Sequence, residues 1–289
     1  GAPAVVKGGG STSAVYSDKT DDNYGLGEGL AFNADAEDNI AIGENALNST
    51  DGVALRNISI GGESLTELTS GDDNVAIGYD AGSAITGQEG NVLIGAYAMA
   101  DSAAGDHNVF IGYQSGKANT ADGSVGIGYQ SLKSITSASG NTAIGFKTGD
   151  AISSDGTNNT MIGYQAMSAA DGNEQGNVAI GYNAMYSLNS QGSHYNIAIG
   201  YQAYVGGSAN GSNNVVIGKD AMNHASNATS SCVVIGSSAG QGAMDGSANG
   251  TIAIGYDAGK AITSGASTIV GYQSGSAHTV ATGCTYIGY

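Results

Sequence analysis

Apolar and polar positions alternate in short bursts along this chain, and polar stretches separate the bursts. One copy runs Asn74, Val75, Ala76, Ile77, Gly78, Tyr79, Asp80, Ala81. Others open at Asn177 and Asn196 with the same order of residue types. Val75, Ile77 and Tyr79 alternate with Ala76, Gly78 and Asp80. A period of two with β-branched residues predicts a β-strand. The linking stretches, such as 86–90 and 153–158, are rich in Gly, Ser, Thr, Asn and Asp. They carry turn chemistry and no helical periodicity.

The burst repeats over nearly the whole chain. Its anchoring glycines run from Gly43, Gly61 and Gly78 through Gly271 and Gly288, spaced 16 to 19 residues apart, with a degenerate first copy ending at Gly27. One short strand and one turn per 16–19 residues describe a coil of a parallel β-solenoid, about sixteen coils in all. A lone coil cannot bury its apolar face, but stacked coils can. This reading places an N-terminal cap or attachment segment at residues 1–22 and the array at residues 23–289.

Each slot has an expected role. Val and Ile are expected to face the coil interior. Asn opens the strand in eleven units, from Asn23 to Asn214, and such a column can hydrogen-bond along the stack. The anchoring glycine allows a bend or a close backbone approach. Three residues later the slot is small, as at Ala46, Ser64 and Thr148, which suggests a tight corner or a packed seam. A second strand per coil is poorly marked: Ile85 and Ile135 share their slot with Asn119 and His278. Single chains are therefore expected to be under-packed. Ala76 and Ala179 would then let several chains approach a common axis, most simply as a homotrimer.

Charge narrows the partners. The net charge is −17, from 8 Lys plus Arg against 25 Asp plus Glu. A chain that grips phosphates needs clustered cations, so nucleic acid is not an expected partner. No run of 18 apolar residues exists, so no membrane insertion by a helix is expected. Fourteen of the acids lie within residues 1–80. Asp72 and Asp73 share a turn there, without an EF-hand or nonapeptide calcium pattern, and no metal site is expected. Cys232 and Cys284 occupy the strand-opening slot three coils apart, roughly 14 Å along the stack. That is too far for a disulfide, so free thiols are expected.

Motifs of catalysis dissolve into the repeat. Residues 236–240 match the nucleophile elbow around Ser238, but no helix follows. Residues 112–117 and 255–260 approach a phosphate loop, yet are one residue short and lack the Ser or Thr after Lys117 and Lys260. His107, His194, His224 and His278 fall in turns without metal-ligand spacing. No catalytic residue and no cofactor is expected. Tyrosine is the ambiguous signal. It follows nine of the fifteen glycines from Gly43 onward. A stacked aromatic column gives packing with a polar tip. An exposed Tyr–Gln face could instead contact glycans, through Tyr113, Gln114, Tyr129, Gln130, Tyr164, Gln165, Tyr201 and Gln202.

The repeat resembles the head repeats of trimeric autotransporter adhesins, the YadA-like heads. It is closer in style to the Ile-Gly-Tyr-Gln-Ala arrays of bacteriophage tail fibres and virion appendages, as at Met161 to Ala166. The resemblance covers residues 23–289. It implies a left-handed β-roll or β-helix, assembled as a trimer and exposed outside a cell or on a virion. It also implies a structural or adhesive fibre that spaces or presents binding to a host-surface glycan or protein receptor. A bacterial surface adhesin is the alternative, and a monomeric surface-binding solenoid a weaker one, since no Thr pair keeps a fixed slot. Coils of 16–19 residues are longer than the adhesin repeat, which leaves their cross-section open.

Overall fold

The computed structural model describes residues 14–17, 22–30, 32, 35–48, 52–152, 156–170, 173–187, 192–206, 211–224, 229–280 and 282–289. The chain is all-β and forms two compact units, residues 1–137 and 138–289. In the first unit β1 (Ala14–Ser17) pairs antiparallel with β2 (Tyr24–Gly27). From β2 the strands are parallel: β3 (Ile40–Ile42), β4 (Ile58–Ile60), β5 (Val75–Ile77), β6 (Val92–Ile94), β7 (Val109–Ile111) and β8 (Val125–Ile127). The second unit stacks β9 (Thr142–Ile144), β10 (Thr160–Ile162), β11 (Val178–Ile180), β12 (Ile197–Ile199), β13 (Val215–Ile217), β14 (Val233–Ile235), β15 (Ile252–Ile254), β16 (Thr268–Val270) and β17 (Thr285–Ile287), all parallel. Each strand lies one repeat from the next, so the repeat unit is the solenoid coil.

Register is uniform. Val75 lies beside Val92, Ala76 beside Leu93 and Ile77 beside Ile94. A parallel pair needs a long return connection, and the turn-rich remainder of each coil supplies it. A single 3-10 turn, Gly246–Ala248, interrupts that pattern among the described residues.

The faces are the reverse of the expected ones. The middle residue of each strand points into the coil: Ala76, Leu93, Phe110, Met161 and Val216 are fully buried. Val and Ile on either side are partly or largely exposed. The strand's inward set begins with the buried Asn and continues through the middle residue to the glycine, and the period of two sends Val and Ile outward. Ala76 and Ala179 are likewise closed inside their own coils. They cannot bring chains together.

The interior does not lack a second wall. The slot four residues after the glycine holds Leu65, Met99, Leu132, Met167, Met185 or Met222, all fully buried. Where that slot is Gly, a neighbour fills the space. A side chain at Gly116 would meet the Phe110 ring at 2.5 Å, and one at Gly82 would meet Leu93 at 2.6 Å. Leu68, Ile85, Ile135 and Ile152 close the far side. The small slot is buried too, at Ala81, Ser115 and Thr148, and its N–H turns back onto the glycine carbonyl, as from Ala81 to Gly78. The single coil is therefore filled by its own chain.

Candidate interaction face

Three columns position the outer surface. The innermost is the asparagine ladder. Asn74 Oδ1 accepts both the backbone N–H and the Nδ2–H of Asn91, at 3.0 and 3.1 Å. Asn74 Nδ2 then donates to Asn57 Oδ1 at 3.1 Å and to the Gln88 carbonyl at 2.8 Å. The arrangement recurs in the second unit at Asn159, Asn177, Asn196 and Asn214. These side chains are at most 1% exposed, so their amides depend on bonds along the stack, supplemented in some coils by a nearby carbonyl, as from Asn91 to Glu89. The residue before the Asn takes a left-handed backbone, as at Asp73, His107, Asn158 and Asn213.

Beside it runs a column of glycines. Gly78, Gly95 and Gly112 have φ of 142°, 130° and 136°. A Cβ at Gly95 would lie 2.5 Å from the Gly112 carbonyl oxygen. Side chains other than hydrogen are excluded on both grounds, which is why the slot never varies.

The third column is aromatic. In the second unit Phe146, Tyr164, Tyr182 and Tyr201 stack with centroids 5.0 to 5.1 Å apart and planes within 9° of parallel. Tyr256, Tyr272 and Tyr289 form a second run. In the first unit Tyr113 stacks on Tyr129 at 5.5 Å. Tyr97, one slot later in its coil, bridges Tyr79 and Tyr113 edge-on at 5.6 and 5.9 Å. Tyr97 takes part because Ala96 holds the usual aromatic slot, a replacement that slot counting missed. Of the residues expected to contact glycans, Tyr113, Tyr129, Tyr164 and Tyr201 are exposed, and Gln114, Gln130, Gln165 and Gln202 are half-buried beside them. Gln130 donates to Gln114 at 2.7 Å. Within each stacked run the ring faces lie against one another, so edges and hydroxyls meet solvent.

Outside all three lies the sheet's outer face. From β3 to β17 its two outward positions per strand are Val, Ile or Thr throughout. Ile144, Ile162, Ile197 and Ile199 are 36–37% exposed. A chain of net charge −17 thus presents an uncharged, β-branched sheet face in each unit. Sequence reading missed this face because the repeat marks alternation but not which side is in.

A further polar column was also missed. Two residues before the Asn, a side chain accepts the backbone N–H of the same slot one coil back. Asp106 accepts from Glu89, Asp122 from Asp106, Ser212 from His194, and Ser230 from Ser212, at 2.9 to 3.1 Å. His194 Nδ1 accepts from Gln175 at 3.2 Å.

The other candidates sit apart. Ser238 lies in a turn with φ of 55°, and its N–H goes to the Lys219 carbonyl. Lys117 pairs with Asp101 at 3.1 Å and Lys260 with Asp257 at 3.2 Å. His224 faces the Gln241 carbonyl, and His278 packs on Tyr286. Asp73 forms a two-pronged pair with Arg56, at 2.6 and 2.9 Å. That guanidinium holds the Asp73 carboxyl below the usual range. Asp72 accepts the Leu55 N–H. Both turn carboxylates are thus engaged within the protein. Cys232 and Cys284 are free thiols. Among the described residues no three His, Cys, Asp or Glu side chains gather as a metal site, and no helix is long and apolar enough to cross a membrane. The chain matches no protein-family profile, no curated protein and no solved structure.

Proposed function

We propose that this chain is a non-enzymatic fibre element that associates with copies of itself through its outer Val/Ile face. The observation that carries the reading is that face. In the second unit, nine strands at about 4.8 Å and three residues at about 3.3 Å apiece make an area of about 400 Å². An apolar patch of that size on a monomer is often functional. A partner can follow the face coil by coil only if it has the same rise, and a second copy has it. The resemblance to virion-appendage and adhesin arrays adds three as the number of copies. It also adds a left-handed coil and a place outside the cell or on a virion, where the fibre would space or present host-receptor binding.

Repetition supports the same reading. The polar side chains belong to columns that satisfy one another along the stack, and such columns build length. Light scattering coupled to size exclusion tests the proposal. The expected mass is about three times 28.4 kDa. A stable monomer at micromolar concentration would remove self-association, and with it this function.

A further inference from the structure

The aromatic column carries redox chemistry as well as packing. A phenol that gives one electron and one proton to a one-electron oxidant becomes a phenoxyl radical. Its unpaired electron spreads onto the two ring carbons beside the C–O carbon, in orbitals perpendicular to the ring. Two such radicals join through those carbons. Rings that lie face to face are therefore disposed to couple, and rings that meet edge-on are not.

Tyr164, Tyr182 and Tyr201 meet that condition in the second unit. Their centroids are 5.0 and 5.1 Å apart, and their planes are 5° and 9° from parallel. They fill the same slot of successive coils, and the uniform register of β10, β11 and β12 holds them there. Holding two reacting groups side by side raises their effective concentration far above that between separate molecules. All three rings are exposed, so a small oxidant reaches them. A surface side chain can also change rotamer to follow a new bond. The structure supplies two contrasts. Phe146 stacks on Tyr164 at 5.1 Å and 4°, yet has no hydroxyl to oxidise. Tyr97 in the first unit lies 5.6 and 5.9 Å from Tyr79 and Tyr113, but at 74° and 82°.

We propose that Tyr164, Tyr182 and Tyr201 form an oxidative modification site, where a one-electron oxidant joins neighbouring coils as dityrosine. Each bond consumes two oxidising equivalents. Two phenols lose one electron and one proton each, and the two radicals form one carbon–carbon bond. The hydrogens on the joined carbons then leave as protons while the two oxygens take protons up, and both rings regain aromaticity. The product has lost two hydrogens and keeps both hydroxyls. Such a bond ties one coil to the next and restricts the unfolded chain as a disulfide does.

Oxidation of the full chain with ruthenium tris-bipyridyl and persulfate under visible light tests the proposal. Chains are recovered from the single-chain band of a denaturing gel, digested and read by mass spectrometry. Peptides bearing Tyr164 and Tyr182, and Tyr182 and Tyr201, should be linked, each pair lighter by two hydrogens. Tyr182→Phe preserves a stacked ring, as Phe146 does, and should reduce both links to background. Tyrosine oxidation without these links, or links found only in bands of higher mass, would overturn the proposal. So would an equal yield from the edge-on pair Tyr79 and Tyr97. A link from Tyr164 to Tyr201 in the variant would also overturn it, because adjacency would not be selecting partners. The parent chain decides the matter alone if the variant fails to fold.

Discussion

At the residue scale, the anchoring glycine is decided by a neighbour as well as by its own backbone angle. Gly95 and Gly123 both have positive φ, yet a Cβ at Gly95 strikes the Gly112 carbonyl at 2.5 Å while one at Gly123 meets nothing within 4 Å. Gly123→Ala should cost about 1–2 kcal/mol, the ordinary penalty for a left-handed residue. Gly95→Ala adds a clash with backbone that cannot move without its own ladder, and should cost more than about 4 kcal/mol. Urea midpoints of the two variants measure the contrast; equal midpoints would contradict the column. Cys232 illustrates the same dependence on the stack. It is fully buried in an Asn slot, and desolvation raises its thiol above the ordinary value. Cys284 is only partly buried. The thiolate is the reactive form, so a disulfide reagent at neutral pH should titrate one thiol in the native chain and the second only on unfolding. Two fast equivalents would place Cys232 elsewhere.

The coil is the element, and its boundaries were legible. The burst ending on Gly marks every strand from β3 onward, ten of the fifteen opened by Asn, and the Asn column bonds along the stack as its chemistry demands. The facing was not legible, because Val-Ala-Ile alternates equally well in either sense. What tips it is company. Asn and Gly share the parity of the middle residue, and both must face inward, the one to reach its ladder partners and the other to touch the next backbone. Removing Asn91 to His107 joins Gly90 to Asn108. Gly90 has φ of 66° and His107 has 58°, so the junction keeps its left-handed residue. In a solenoid, stability is close to a sum over coils and interfaces, and this variant should fold with one coil fewer. Removing Asn91 to Tyr97 takes the strand and glycine but leaves the turn, which should bring local unfolding or aggregation. Thermal melts and electron microscopy separate the two; equal damage would mean the repeat is not the coil.

At the scale of the whole molecule, the reversal of faces moves the proposed self-association to the outer surface. The expectation of an under-packed interior fails because Leu, Met and Ile four and seven residues after the glycine close the coil. The apolar surplus lies outside. Ile94→Lys and Ile180→Lys put a charge on the outer face of each unit, and Lys on a strand's solvent side leaves the coil interior intact. The double variant should fold and run as a monomer of about 28.4 kDa. Leu93→Lys, one position away and fully buried, buries an unpaired charge and should abolish folding. If the double variant instead kept the parent's mass by light scattering, copies would not meet through this face.

Sequence alone determined the repeat, the strand positions, the need for glycine and the chemistry of the Asn column. These are properties of one coil's order of residues, and each coil states them again. Only the tertiary structure decided which side of the strand is inside and that Tyr97 joins an aromatic column one slot out of place. Those outcomes depend on what lies one coil away, sixteen to nineteen residues along the chain, where packing rather than order selects among patterns that read alike.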